Sequence, residues 1–432
     1  VTKIGTWQGA AVSIGAVLGT GVIALPALAA QTAGPASLVA WLALILLSVP
    51  LAATFASLGA RYPDAGGVST YVRRAFGRRP AAMVGWWFYL AVAVGAPPAA
   101  LFGGAYVAAA IGGGRPTALV TAAMLVVVVT LANLFGVHIS GRVQLGLAAL
   151  LALLLLTTTA FALPHARLAN LSPFAPHGWT AIGPAAAVLV WGFAGWEAVS
   201  HLAADFRDPA RQLPRATAIA AVVVGVLYFA IAAASVLVLG RAAGSSEAPL
   251  AELLAIGVGG PVRILTAIAA LLLTIGTMNA YFAGAAKLGA ALGRDGALPA
   301  WLAHGSQAGD VPRRSLAIVS SLAALALIVV AITGSSTRTL VLLTTGSFVF
   351  VYVLGTAAAI RLLPRGFARG CAMIALVSVL GLLALTGVYV LWAVGVAIAA
   401  LVYDAVRHRR RGTRPPVEPA TAEIVYSGLP QA

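Results

Sequence analysis

The chain has one cysteine, Cys371, among 432 residues. A single thiol excludes an intramolecular disulfide and a zinc site built from several cysteines, and it says nothing about redox compartment. Charge is also scarce, with 9% of residues charged and only 11 acidic, against 61% hydrophobic. A water-soluble fold of that composition would leave more apolar surface than one core can hide. No hydrophilic stretch is long enough for a soluble domain; the longest, near 61–80, 164–180, 240–261 and 293–313, hold roughly twenty residues each. Neither an HExxH motif nor a paired-Asp motif occurs, which removes the usual signatures of a membrane-embedded enzyme. A ring of acids or a filter-like repeat is missing as well, which argues against an ion channel.

What is present is a series of apolar runs long enough to cross about 30 Å of hydrocarbon. They fall at 7–30, 36–60, 80–112, 116–136, 143–163, 181–204, 216–239, 262–292, 314–333, 337–362, 370–386 and 388–405. These runs are too long for outer-membrane strands and lack their period-2 alternation, so the fold class is an all-α polytopic membrane protein of about twelve spans. The first run is read as a true span, since no small-residue cleavage site ends it cleanly. Residues 1–406 form one transmembrane domain. The segment 407–432 begins with a basic cluster, passes through Pro415-Pro416 and is expected to be a disordered tail.

The net charge of +16 encodes topology. With loops assigned alternately to two sides, only Arg115, Arg167, Arg241, Arg263 and Arg338 of the 27 basic residues fall on one side. That bias puts both termini in the cytoplasm of a multi-pass cell-membrane protein and favours anionic lipid over nucleic acid as its charged partner.

Two spans carry glycine clusters near their middles: Gly15, Gly19 and Gly21 in the first, Gly192 and Gly195 in the sixth. Such glycines permit close helix packing, or they mark unwound helix. Two clusters at equivalent places favour unwinding, in a pair of five-helix inverted repeats over about 7–163 and 181–362, with helices 11 and 12 outside them. An unwound midplane segment offers N–H groups to a carboxylate and carbonyls to an ammonium, which suits an amino acid.

Of the acids, Glu197 alone lies well inside a span. Burial suits it to proton exchange; the alternative is a neutral, hydrogen-bonded acid that shapes the broken helix. His201, one turn on, either couples to it or caps the cytoplasmic end. Asn279 and Tyr281 in the eighth span either face a cavity or bond another helix, Trp191 is placed to wall a cavity, and Lys287 is expected to snorkel.

Four segments resemble the amino acid-polyamine-organocation superfamily, in order along helices 1 to 10. They are Gly15 to Pro26; Arg61-Tyr62-Pro63-Asp64-Ala65-Gly66-Gly67 with Tyr71 and Phe76-Gly77; Phe193 to Glu197 with Asp208-Pro209 and Leu213-Pro214; and Gly293-Arg294-Asp295-Gly296-Ala297-Leu298-Pro299. Gly95-Ala96-Pro97-Pro98 and Trp196-Glu197-Ala198 look most like the bacterial methionine and branched-chain amino-acid exporter group.

The resemblance implies a leucine-transporter-like fold and a substrate site at Val17, Thr20, Gly21, Trp191, Ala194 and Tyr281, with Glu197 near the gate; the glycine clusters and depth in the span add Gly19, Gly195 and Asn279 to the expected site, and the burial of Glu197 adds proton coupling to its expected role. In that reading the carboxylate meets N–H groups around Thr20 and Gly21, and the ammonium meets the carbonyls of Val17, Trp191 and Ala194. Ala16 stands where the arginine branch has a polar residue, and no acid is placed to hold a cationic side chain, so the implied substrate is neutral and apolar. Sodium-dependent relatives use neighbouring hydroxyls on helix 8, where this chain has Thr274 and Thr277. The helix-5 lysine of some sodium-independent members has no counterpart within 143–166. No cofactor is implied, and a monomer or homodimer is expected. A non-transporting amino-acid sensor on the same scaffold is the alternative function.

Overall fold

The computed structural model describes residues 4–63, 67–136, 141–197, 203, 206–259, 262–305 and 310–412. Fifteen α-helices follow in chain order among them: α1 (Thr6–Val17), α2 (Leu25–Ala33), α3 (Ser37–Arg61), α4 (Gly67–Phe76), α5 (Arg78–Ile111), α6 (Gly114–Leu134), α7 (Gly141–Ala162), α8 (Ile182–Phe193), α9 (Pro209–Ala234), α10 (Pro249–Val258), α11 (Val262–Asp295), α12 (Arg313–Thr333), α13 (Thr337–Leu362), α14 (Phe367–Leu385) and α15 (Val390–Gly412). Among the described residues, ten helical stretches are long and apolar enough to cross a membrane. The remaining two of the twelve expected spans are the first and sixth, and each is broken. In lipid every backbone group needs a partner inside the protein, which is why the apolar runs resolve as helices and the irregular backbone within the broken spans, at 18–24 and 194–197, is largely buried.

The burial pattern sets the layers. The membrane-crossing windows of α5 and α13 are 72% buried, against 22% for those of α14 and α15, so the first pair is central and the second peripheral. Helix α5 packs against α6, α11, α12 and α13. Small residues allow the close approaches: a Cβ on Gly103 would lie 2.8 Å from Thr274 Oγ1 of α11, and one on Gly85 would lie 2.5 Å from Leu292 Cδ2. Large apolar side chains such as Val127, Ile332, Met373 and Leu391 point outward, as lipid-facing residues do.

The two halves of the chain match in element length. Helices α5 and α11 each have 34 residues, α6 and α12 each have 21, and α3 and α9 have 25 and 26. Between them lie α4 and α10 of 10 residues each, in stretches where the sequence suggested loops. Both are too short, and α4 too polar, to register as spans. Helix α15 also runs further than expected, through the basic cluster to Gly412; the rest of the tail lies outside the described residues.

Several motif residues are braces on one face, the basic face. Asp208 caps α9, its carboxylate accepting from Arg211 N–H at 3.3 Å with Pro209 at the first helical position. Asp295 pairs with Arg73 at 2.9 Å, Arg79 pairs with Asp404 at 3.1 Å, and Arg407 donates to the Gly296 carbonyl. Tyr62 donates to the Leu362 carbonyl at 3.3 Å. Trp86 and Trp87 brace the same half of α5 by donating to the Ala297 and Ala393 carbonyls, each at 2.8 Å. Cys371 is buried in α14, where it packs. His201, Asp64, Ala65, Gly66, Ala198 and Asp205 lie outside the described residues.

Candidate functional site

The first break follows from its glycines and proline. Helix α1 closes with Leu18 N–H on the Ile14 carbonyl at 2.7 Å, and Gly19 is extended at φ −95° and ψ −176°. A 3-10 turn, Thr20–Ile23, carries the chain to α2, whose second residue, Pro26, has no N–H to lose there. By helix geometry the first N–H groups of that turn, on Thr20 and Gly21, have no partner within it. The second break begins after Phe193: Ala194 is extended at φ −68° and ψ 134°, and Gly195 takes φ +131°, a conformation that favours glycine.

The two breaks touch. A Cβ on Gly195 would lie 2.7 Å from the Ala16 carbonyl oxygen and 3.1 Å from Val17 Cα, while one on Gly21 would lie 2.6 Å from Trp191 Cδ1. Tyr228 of α9 joins them from behind, its hydroxyl donating to the Val17 and Gly192 carbonyls at 2.9 Å each. One proton is therefore shared between two carbonyls freed by unwinding. Trp41 and Phe193 both pack edge-on against the Tyr228 ring, with centroids 5.5 and 5.3 Å away.

In front of the breaks is a chamber of about 60 Å³. Val17, Gly19, Thr20, Gly21, Trp191, Ala194 and Tyr281 line it, so seven of the nine residues expected at a substrate site converge there. Gly195 is packed onto Ala16 beside the chamber rather than lining it. Asn279 is not brought to it: that side chain is buried, and its Oδ1 accepts from Asn133 Nδ2 at 2.7 Å, a bond between α11 and α6. Val17 contributes wall, but its carbonyl already accepts from Gly19 N–H at 2.8 Å as well as from Tyr228. The rest of the lining is apolar or small, including Ala91, Gly95 and Ala96 of α5, Met278 and Phe282 of α11, and Phe348 of α13. No charged side chain lines it among the described residues.

Ala16, Gly19, Val92, Thr277 and Tyr281 also border a second cavity of about 730 Å³, which runs to the basic face between Arg73, Arg78, Lys287 and Arg294. The chamber and a wide vestibule thus share a wall on that side. Lys287 lines the vestibule and is exposed. The two hydroxyls considered for sodium lie on different surfaces, with Thr277 at the chamber and Thr274 against Gly103 of α5.

Glu197 borders the vestibule although only 3% of its surface is exposed. Its Oε2 accepts from Gly195 N–H at 2.9 Å and from the Tyr352 hydroxyl of α13 at 2.6 Å. The carboxyl group thereby caps the second break and ties it to a central helix. Sequence reasoning missed Tyr228, Tyr352 and the α5 wall. The available signal was weak: a tyrosine within an apolar run, and small residues on one face of the third span.

Two broken spans meeting at a chamber inside a helical membrane domain are an arrangement suited to a membrane carrier. The chain belongs to the amino acid permease family, whose family model matches residues 4–408. It is 32% identical over 361 residues to an uncharacterized amino acid permease of Bacillus subtilis, an alignment that covers 83% of this chain and 85% of that one. It is 33% identical over 230 residues to the L-methionine/branched-chain amino acid exporter of Escherichia coli, covering 52% and 54% of the two chains. A branched-chain amino acid permease of Bacillus subtilis is 24% identical over 249 residues, 54% of each chain.

Proposed function

We propose that this permease is a secondary active carrier of neutral, apolar amino acids of the methionine and branched-chain type, working by alternating access. The observation that carries the proposal is the chamber itself: the start of the Thr20–Ile23 turn, whose first N–H groups have no partner within that turn, beside an apolar lining without charge. A helix start of this kind attracts a carboxylate, and the apolar wall favours an aliphatic side chain. The printed substrates of two relatives agree in chemistry with that wall. The matching helix lengths support division into repeats over 7–163 and 181–362, around which the carrier rocks. The vestibule faces the cytoplasm, together with both termini, and the basic residues around it support that orientation.

Flux of radiolabelled leucine and methionine into proteoliposomes tests this reading. Thr20→Ala removes a hydroxyl beside the carboxylate, a bond of about 1.5–3 kcal/mol to a charged group, and Trp191→Ala removes a large apolar wall of similar weight, so each should lower apparent affinity by about tenfold or more. Saturable binding with no flux in the unaltered protein would make it a sensor instead.

Exchange or proton coupling runs through Glu197 in this proposal. Glu197→Gln keeps an acceptor for Gly195 and Tyr352 but cannot exchange a proton at that atom. A pH gradient should therefore no longer drive uptake, while counterflow persists. Gradient-driven uptake that survives in the glutamine variant would remove the proton role.

A further inference from the structure

The side of the chamber away from the vestibule is covered by buried contacts. The segment after α9 folds down on α2, so that a Cβ on Gly244 would lie 2.8 Å from Gln31 Cα. Helix α10 then packs on α7 and α11. Beneath its first turn is Tyr106 of α5. The Tyr106 hydroxyl donates to the Ile23 carbonyl at 2.7 Å and accepts from Leu250 N–H at 3.2 Å.

Both partners are backbone groups at helix ends. Ile23 ends the 3-10 turn of the first break, and Leu250 is the second residue of α10, whose N–H has no partner in its own helix. Ile23 and Leu250 are 0% exposed and Tyr106 is 1% exposed, so water reaches none of the three. One hydroxyl uses its donor on one element and its acceptor on another. Tyr106 also lies one turn beyond Phe102 on the same face of α5. Phe102 in turn packs edge-on against Trp191 of the chamber wall, with centroids 6.3 Å apart.

We propose that Tyr106 is a positioning residue of the transport cycle. Its hydroxyl bolts the outer half of the first span to α10 while the vestibule is open, and lets both go when the opposite face opens. Separating α2 from α10 would hydrate the Ile23 carbonyl and the Leu250 N–H together, so the bolt stabilises only the state closed on that side. Phe102 links the bolt to the chamber, because a displaced Trp191 would push on the helix face that carries Tyr106. This assignment rests on the alternating-access reading, although its test does not need flux.

The test uses Cys371→Ser to remove the native thiol and Ala99→Cys as a reporter. Ala99 lines the chamber seven residues before Tyr106, about 10 Å deeper along α5 at 1.5 Å per residue. A membrane-impermeant maleimide is added to intact cells, which in the proposed orientation exposes only the face above Tyr106. Adding Tyr106→Phe should raise the labelling rate about tenfold or more, because it withdraws the bond to both groups and keeps the ring. A rate equal to that of the tyrosine parent, with or without a lower melting temperature, overturns the proposal by making Tyr106 mere packing.

Should the phenylalanine variant fail to reach the membrane, hydrogen exchange of the Leu250 amide is followed in the reporter protein itself. Exchange that rises with labelling rate across a temperature series supports the bolt, and exchange that stays constant as labelling rises overturns it. Absence of leucine flux with an intact labelling response would sink the carrier reading alone.

Discussion

Gly195→Ala is expected to abolish transport, lowering leucine flux in proteoliposomes at least about a hundredfold. Two costs combine at this position. Gly195 has φ +131°, and strained backbone of that kind costs an L-residue of order 1–3 kcal/mol. The added methyl would also lie 2.7 Å from the Ala16 carbonyl oxygen and 3.1 Å from Val17 Cα. These are backbone atoms of the other broken span, so no side-chain rotation relieves the clash, and the two breaks must separate. At about 1.4 kcal/mol per factor of ten, the two costs together suffice for the expected loss. The check is flux measured beside thermal melting, since a folded but inactive variant isolates the breaks as the cause. Near-normal flux in the alanine variant would show that the contact between the breaks is dispensable.

Tyr228→Phe should lower flux by about ten- to a hundredfold without loss of the fold. The phenyl ring keeps its packing against Trp41 and Phe193, while the Val17 and Gly192 carbonyls lose their shared donor. Leaving a buried polar group without its partner costs about 1–3 kcal/mol. Val17 still accepts from Gly19, so the heavier loss falls on Gly192 and hence on the second break. Flux and substrate affinity measured on the same preparation decide the matter. The hydroxyl acts by holding the breaks together, so affinity should fall with flux even though Tyr228 does not line the chamber. A variant with full affinity and full flux would contradict that role.

The spans were legible because lipid leaves a chain few options: an apolar run of sufficient length must be helical, and the edges at Arg78, Gly114 and Arg313 fall where the hydropathy changes. The breaks were legible because unwinding needs glycine, and glycine clusters stand out in otherwise continuous spans. Side-chain hydrogen bonds were not legible. Asn279 was assigned to the substrate site by depth in the membrane, yet depth does not fix azimuth, and the side chain turns to Asn133. Tyr228, Tyr352 and Tyr106 read in sequence like any aromatic packing residue. What sets them apart is a carbonyl, amide or carboxylate brought from more than thirty residues away, and only the folded chain supplies it. Helices α4 and α10 went unread for another reason: at 10 residues each they fall below the length at which a span is recognisable.

The equal length of α5 and α11 also bears on the membrane itself. At 1.5 Å per residue, 34 residues make a rod of about 50 Å, well beyond the roughly 30 Å of hydrocarbon it crosses. Such rods must lean or protrude, and the angle at which they lean varies with acyl chain length through hydrophobic mismatch. Both rods border the chamber and the vestibule. A bilayer of different thickness is therefore expected to change the spacing of the walls of both cavities.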